Sequence, residues 1–410
     1  MTVTARPVVS VLVPCWNAAA SIERALDSVL EERGVPLECV VVDDGSTDRT
    51  LDVVRAVTAR DPRVVVIALG ENQGVSNARN EGLKVVRGDW LTLLDADDRF
   101  LPGGLKMLTV AALGGDAAAV IGQQIWWDGR RRWRTPGYDV ADIRRPGRKS
   151  LVSNPGLLNY VSPHAKLLHR DTWHGLAFSG RVLGDQPWII RALLRAYDRI
   201  EVLGETVYEW YRPGPTVASG SITATTRSTV TRGVEAVGVA GDALASVREE
   251  AARLLDERGR EVVGRHYADR LLRTDLAAHV ARALDRGDPE IGLLLDAIGA
   301  FVTTLPAGYA AASTALARSI VEPPLRRWYR VRPNGRDAYW RLFDTALRAD
   351  PELPDKGASP LARVGLRLAS AASPGRRGAA ATLLMLARVL GGVTRRLRLG
   401  ARSEEARASG

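Results

Sequence analysis

The sequence predicts an α/β fold, a mostly parallel sheet with helices on both faces, followed by an α-helical C-terminal domain. Two observations predict the first part. Between residue 8 and about residue 100, β-branched apolar runs alternate with segments of helical spacing. Polar residues then gather where the first, second and fourth runs end, which is where open α/β sheets bind ligands. A third observation predicts the second part: from residue 231 onward one helical pattern follows another.

The elements follow in order. Residues 8–13 are apolar and β-branched and stop at Pro14-Cys15-Trp16-Asn17, after which Ile22, Leu26, Val29 and Leu30 show helical spacing. Residues 37–42 repeat the strand signal and end at Asp43-Asp44-Gly45-Ser46-Thr47-Asp48. The helix beyond carries Leu51, Val54 and Val57, with Ser46 or Thr47 as its expected N-cap. Residues 64–69 form a third strand, 72–86 a loop and helix, and 90–94 a fourth strand that runs straight into Asp95, Asp97 and Asp98. Three acids on one strand end repel each other unless a cation sits among them. A Mg²⁺ or Mn²⁺ ion carrying a diphosphate is the simplest one. The plain alternative is a solvated acidic turn, with Asp98 capping the helix that starts near Pro102.

Composition bounds the remaining classes. At 410 residues, 46% apolar and 25% charged, the chain is long enough for two or three domains. Cys15 and Cys39 lie in or beside apolar runs, so no disulfide framework is expected and a reducing cytoplasm is. The first residues lack the pattern of a signal peptide. Residues 297–317 carry no charge, but they are rich in Ala, Gly and Thr around Pro306 and read as a buried helix, turn and helix. The net charge of +10 suggests nucleic acid or an anionic membrane, yet it rests on an arginine-heavy composition. With no nucleic-acid recognition motif, no nucleic-acid partner is expected. Neither a Gly-x-Gly-x-x-Gly after the first strand nor a P-loop is present.

Four stretches together are specific: Val9-Ser-Val-Leu-Val-Pro-Cys-Trp-Asn17, Val41-Val-Asp-Asp-Gly-Ser-Thr-Asp48, Asn72-Gln-Gly-Val-Ser-Asn-Ala-Arg-Asn80 and Leu93-Leu-Asp-Ala-Asp-Asp98. In order and spacing the chain resembles the family 2 glycosyltransferases over about residues 8–215. The resemblance implies the GT-A fold, a Rossmann-like sheet, and a nucleotide-sugar donor. It places Pro14, Trp16, Asn17, Asp44, Arg79 and Asp95 on the nucleotide-sugar side, with Trp16 against the base and Asp44 accepting a base N–H, which favours UDP or dTDP. It assigns Asp97, with Asp95, to the metal. Core filling for Trp16 and helix capping for Asp44 are the bland readings.

Residues 116–120 read as a further strand and Asp128-Gly129 as a hairpin turn. Arginines crowd 130–148 among Trp133 and Tyr138, a surface suited to an acidic glycan or a lipid phosphate if it is not simply a solvated hairpin and loop. Residues 162–170 return to the sheet, and the resemblance brings His164 toward the diphosphate or metal, a structural histidine being the alternative. Gly184-Asp185-Gln186-Pro187-Trp188 opens a helix with Pro187 in its first turn. It matches the family's acidic motif, Arg191 included, and Asp185 is the implied general base unless it only caps its helix. Gly184 stands where many members carry a first acid.

Residues 201–212 read as two short strands, and 219–223 with Arg227 as a polar lid or linker. The expected division is therefore a GT-A domain over 1–215 (donor half about 8–115, acceptor half about 116–215), a linker over 216–232 and a helical domain over 233–410. In the last, Leu383, Leu386, Leu390, Val393 and Leu397 run beside Arg388, Arg395 and Arg402. That basic amphipathic helix would lie on an anionic membrane, making the protein peripheral on the inner face of the cell membrane, or dock on the protein itself. The function implied is an inverting, metal-dependent glycosyl transfer to a hydroxyl acceptor, a glycan or a lipid-linked intermediate, in cell-surface polysaccharide or glycolipid synthesis. The alternative is an inactive nucleotide-sugar-binding or scaffold protein.

Overall fold

The computed structural model describes residues 8–134, 141–180, 183–212, 229–306, 309, 314–326, 331, 333–356, 360–372 and 381. The chain separates into two compact units, one comprising Met1–Thr226 and Asp242–Tyr267, the other Arg227–Gly241 and Ala268–Gly410. The expected linker at 216–232 falls largely outside the described residues, as do the polar segment 219–223, Tyr138 and the basic stripe from Leu383 to Arg402.

The first unit is built in the order β1 (Val9–Cys15), α1 (Ile22–Leu30), β2 (Leu37–Asp43), α2 (Thr50–Arg60), β3 (Val64–Ala68), α3 (Val75–Leu83), β4 (Trp90–Leu93), β5 (Arg99–Phe100), α4 (Gly104–Leu113), β6 (Ala119–Trp127), β7 (Arg132–Arg134), α5 (Ala141–Arg144), β8 (Gly147–Lys149), β9 (Lys166–His169), α6 (Arg170–Trp173), α7 (Gln186–Ala196) and β10 (Ile200–Tyr211). One ten-stranded sheet runs in the order β3-β2-β1-β4-β9-β6-β10-β5, with β7 on β6 and β8 on β10. The donor half, β3-β2-β1-β4, is parallel throughout. Beyond it the sheet is mixed, because β9 enters antiparallel between β4 and β6.

Every residue of β1 and β2 is buried, as a parallel sheet covered on both faces requires. Their polar members are satisfied within the fold. Ser10 Oγ donates to Glu38 Oε1 at 2.6 Å, and Glu38 also receives the Arg87 backbone N–H and guanidinium, at 2.6 and 2.8 Å. These bonds fix the bend that leads into β4. Helix α3 lies close on β1, since a Cβ on Gly82 would stand 2.1 Å from Leu12 Cδ1.

Two local expectations change and one holds. Residue Arg49, not Ser46 or Thr47, precedes α2, while Ser46 Oγ accepts the Asn17 N–H. The two short strands expected over 201–212 are one 12-residue strand, β10, whose register shifts between Val202 and Thr206 absorb Gly204 and Glu205. The hairpin at Asp128-Gly129 does form, with Asp128 Oδ1 accepting the N–H groups of Arg130 and Arg131.

Helix α8 (Thr229–Leu254) is followed by α9 (Glu257–Arg270), a π-turn at Leu271–Leu276, α10 (Ala277–Arg286) and α11 (Ile291–Thr303). In the second unit α11 packs on the helix Pro333–Ala349, where Arg341 makes a two-pronged bond to Asp296 at 2.7 and 2.9 Å. The helical stretch from Glu257 to Arg286 is thus interrupted by the π-turn. Among the described residues no helix is long and apolar enough to cross a membrane.

Candidate functional site

The C-terminal ends of β1, β2 and β4 are neighbours in the parallel sheet, so the loops that follow them meet. After β1, the Trp16 indole stands 42% exposed at the rim rather than in the core. Asn17, at φ +48°, ties this loop to the next: its Oδ1 accepts the Thr47 N–H at 2.8 Å. Pro14 pairs with Val42 in the buried ladder. After β2, the buried Asp44 accepts the N–H groups of Gln73 and Gly74, both at 2.8 Å, and so holds the loop before α3 rather than capping a helix.

After β4 the chain turns tightly, with the Asp98 N–H on the Asp95 carbonyl at 3.1 Å. The turn sends its three carboxylates different ways. Asp95 Oδ1 lies 3.1 Å from Arg79 Nη2, on α3, and 3.1 Å from His164 Nε2. Burial works against the Asp95 charge, but His164 and Arg79 beside it hold the carboxyl well below the usual carboxylate range. Asp98 points inward, accepting from the Tyr208 hydroxyl at 2.8 Å and the Tyr211 N–H at 2.7 Å; burial and then the Asp97 and Asp95 charges push its pKa up. It does not cap α4, which Gly103 precedes. Asp97 faces open solvent at the mouth, yet the crevice walls strip enough hydration, and Asp95 adds enough repulsion, to push it up to about 6.

Tyr208 went unnoticed in the sequence and is central to the geometry. Its hydroxyl accepts the Asp95 N–H at 3.3 Å while donating to Asp98, and its ring stacks on His164 with centroids 5.3 Å apart. Lys166 is equally hidden: wholly buried, it donates to the Ser162 carbonyl at 2.5 Å and lies 3.5 Å from the Tyr160 ring centroid. Burial lowers the Lys166 pKa, and the Asp185 charge works the other way. Between His164 and Lys166, Ala165 adopts φ +54°, a strained backbone that fixes how His164 enters the site.

Asp95, Asp98 and His164 each offer a ligand atom within 4.8 Å of the others. His164 Nδ1 pairs with Ser162 Oγ at 2.9 Å, whereas its buried Nε2, though close to Asp95, makes no well-aligned hydrogen bond. A buried nitrogen without a hydrogen bond, beside carboxylates one of which faces solvent, is a donor set that fits a divalent cation. The side chains close enough to share one ion are Asp95, Asp98 and His164; Asp97, expected at the metal with Asp95, is not in that group.

Asp185 precedes α7, is half-buried and makes no side-chain cap bond. Arg191, together with Arg195, binds Glu250 at 3.1 and 2.8 Å.

Residues 10–174 match the model of Glycosyl transferase family 2. The succinoglycan biosynthesis protein ExoO of Rhizobium meliloti (strain 1021) is 44% identical over 102 residues, 25% of this chain and 29% of that protein. The putative teichuronic acid biosynthesis glycosyltransferase TuaG of Bacillus subtilis (strain 168) is 39% identical over 23% of this chain and 38% of its own length. The chain therefore matches well under half the length of these relatives. Glycosyltransferase GlyG of Streptococcus pneumoniae serotype 4 (strain ATCC BAA-334 / TIGR4), 27% identical, is covered over 72% of its length. Among solved structures, S. aureus TarS 1–349 in complex with UDP-GlcNAc superposes with a TM-score of 0.63 at 19% identity, covering 84% of this chain and 92% of that one. The fold is thus the GT-A fold that the motifs imply, with a helical C-terminal region.

Proposed function

We propose that the first unit transfers a sugar from a UDP- or dTDP-sugar to a hydroxyl acceptor, with inversion, in the synthesis of a cell-surface polysaccharide or glycolipid. One observation carries this reading: an exposed indole, a carboxylate-held loop and a three-aspartate turn converge at the ends of β1, β2 and β4. The names of the relatives in succinoglycan and teichuronic acid synthesis support the product class, and the UDP-GlcNAc bound to TarS supports the donor class.

In this reading Trp16 stacks on the base and the free lone pairs of Asp44 accept the imide N–H that uracil and thymine share. Arg79 keeps Asp95 ionised and aligned. Asp97, with Asp95, would hold Mg²⁺ or Mn²⁺, which when bound offsets the charge growing on the departing diphosphate. Asp185 accepts the proton of the acceptor hydroxyl as its oxygen bonds to the anomeric carbon and the bond to the diphosphate breaks. A positioned base of this kind contributes roughly 10²- to 10⁴-fold in rate. Direct displacement by one base inverts the anomeric carbon.

The test is a binding and turnover screen of the full chain against UDP-, dTDP-, GDP- and CDP-sugars with Mn²⁺, with Mg²⁺ and with chelator. The expected result is metal-dependent binding of one donor, lost in Asp97→Ala and retained without turnover in Asp185→Asn. Failure of every nucleotide sugar to bind, with or without metal, refutes the proposal.

A further inference from the structure

The sheet face that carries Tyr208 does not end there. Side chains alternate along a strand, so Tyr208, Trp210 and Arg212 project to one face, as do Gln124 and Trp126 on β6, paired with Tyr208 and Trp210 in register. On β7, Trp133 faces Trp126. The Trp126 ring stands perpendicular to both neighbours, with centroids 6.1 Å from Trp133 and 6.3 Å from Trp210. The Arg212 guanidinium lies over Trp126 and Trp210, at 4.7 and 5.0 Å from the ring centroids. Two residues of extended chain span roughly 7 Å, so this wall begins about one sugar ring beyond Tyr208 and the carboxylate turn.

Two further features point to a ligand. The Trp126 indole nitrogen and the Arg212 Nε are shielded from solvent yet have no hydrogen-bond partner among the described residues. The charges on the two faces also differ. Behind the wall, Arg99 and Arg132 both bind the buried Glu209. Arg212 has no carboxylate partner among the described residues.

We infer that Trp126, Trp133, Trp210 and Arg212 form an acceptor subsite for an anionic saccharide, the indoles lying against the sugar ring and Arg212 binding its carboxylate or phosphate oxygens. The inference rests on the glycosyltransferase reading above and adds the chemical class of the acceptor. Flat indoles cover the apolar C–H faces of a pyranose while their N–H groups reach its hydroxyls. An unpaired guanidinium beside them selects for a negative substituent by a charge-assisted, two-pronged bond.

The experiment titrates the full chain, with UDP present, against trigalacturonate, its carboxyl-reduced neutral counterpart, a trisaccharide carrying a 6-phosphate, and oligo-dT. Heat of binding is the readout. At least one anionic sugar is expected to bind about 10-fold or more tighter than the neutral one, and which one binds distinguishes carboxylate from phosphate. Arg212→Met should abolish that preference, with Arg212→Lys restoring part of it. Trp210→Ala should weaken charged and neutral sugars alike, with Trp210→Phe as the milder control. UDP affinity should be unchanged in all four variants. The inference is overturned if the neutral sugar binds as tightly, if no anionic sugar binds, if the preference survives Arg212→Met, or if oligo-dT binds tightest. Those outcomes with UDP still bound sink this inference alone; loss of UDP binding in the parent protein sinks the glycosyltransferase reading.

Discussion

Gly184 is the position at which this chain departs from the acidic motif of the family it resembles, and the structure gives the reason. A Cβ there would stand 2.3 Å from the Ser179 carbonyl oxygen, 2.7 Å from that of Gly180 and 2.9 Å from Ser76 Oγ. Ordinary contact needs roughly 3.5 Å, so Gly184→Ala forces a backbone displacement of about 1 Å. Two of the three obstacles are main-chain atoms that cannot rotate aside, and Ser76 Oγ itself binds the Gly180 carbonyl at 2.6 Å. Overpacking of this kind costs about 1–3 kcal/mol, or about 2–12 °C of melting temperature at roughly 2–4 °C per kcal/mol. Asp185 follows directly, and a misplacement of about 1 Å lowers turnover by about 10²-fold. Gly184→Glu, which supplies the acid many family members carry, should do worse than alanine. Differential scanning fluorimetry and turnover on the donor found in the screen measure both effects. A Gly184→Ala protein that melts with its parent and keeps full turnover would refute the steric account.

Tyr208→Phe removes the hydroxyl between the Asp95 N–H and Asp98, at a cost of about 1–3 kcal/mol; an unchanged melting temperature would contradict the geometry of the turn. Trp16→Ala should weaken UDP binding by about 10- to 100-fold, the worth of one base stacked on an aromatic ring. Because the indole is exposed, thermal stability should hardly move, and equal UDP affinity in the variant would remove Trp16 from the site. Burial opposes ionisation of Glu38, but its bonds from Ser10 and Arg87 prevail and lower its pKa in the fold. Its stabilising contribution is therefore full above the unfolded value of about 4.3 and is lost as pH falls through the lower folded value. Melting curves across that acidic range should show a fall that Glu38→Gln flattens. A variant with the same acid limb as the parent would rule this out.

Local pattern carried the donor half. The apolar runs of β1, β2 and β4 are buried on both faces, while the edge strand β3 leaves Val65 exposed, and nothing else in their neighbourhood competes with that signal. The candidate site was only partly legible, because adjacent carboxylates look alike in a sequence. The turn at Asp95 sends Asp98 inward to a tyrosine 110 positions away, and no local periodicity announces such a partner. Arg191 shows the same limit, since its partner Glu250 lies 59 positions further on. The alternation Tyr208, Trp210, Arg212 was visible as a period of two. What hid it was Gly204-Glu205, which reads as a break until the register shifts of β10 are seen.

β9 enters the sheet between β4 and β6, and β10 closes the far side of β6. During synthesis the parallel half is therefore complete as chain long before its chemistry is. Until Lys166–His169 has emerged, β4 presents an unpaired edge, the kind of surface that recruits other strands. Until Tyr208 and Tyr211 follow, Asp98 lacks both of its hydrogen-bond donors. A fragment cut at residue 174, where the family match ends, would keep the diagnostic motifs and lose the strand that organises their carboxylates. The stretch that completes the carboxylate turn of this chain is thus longer than its most recognisable one.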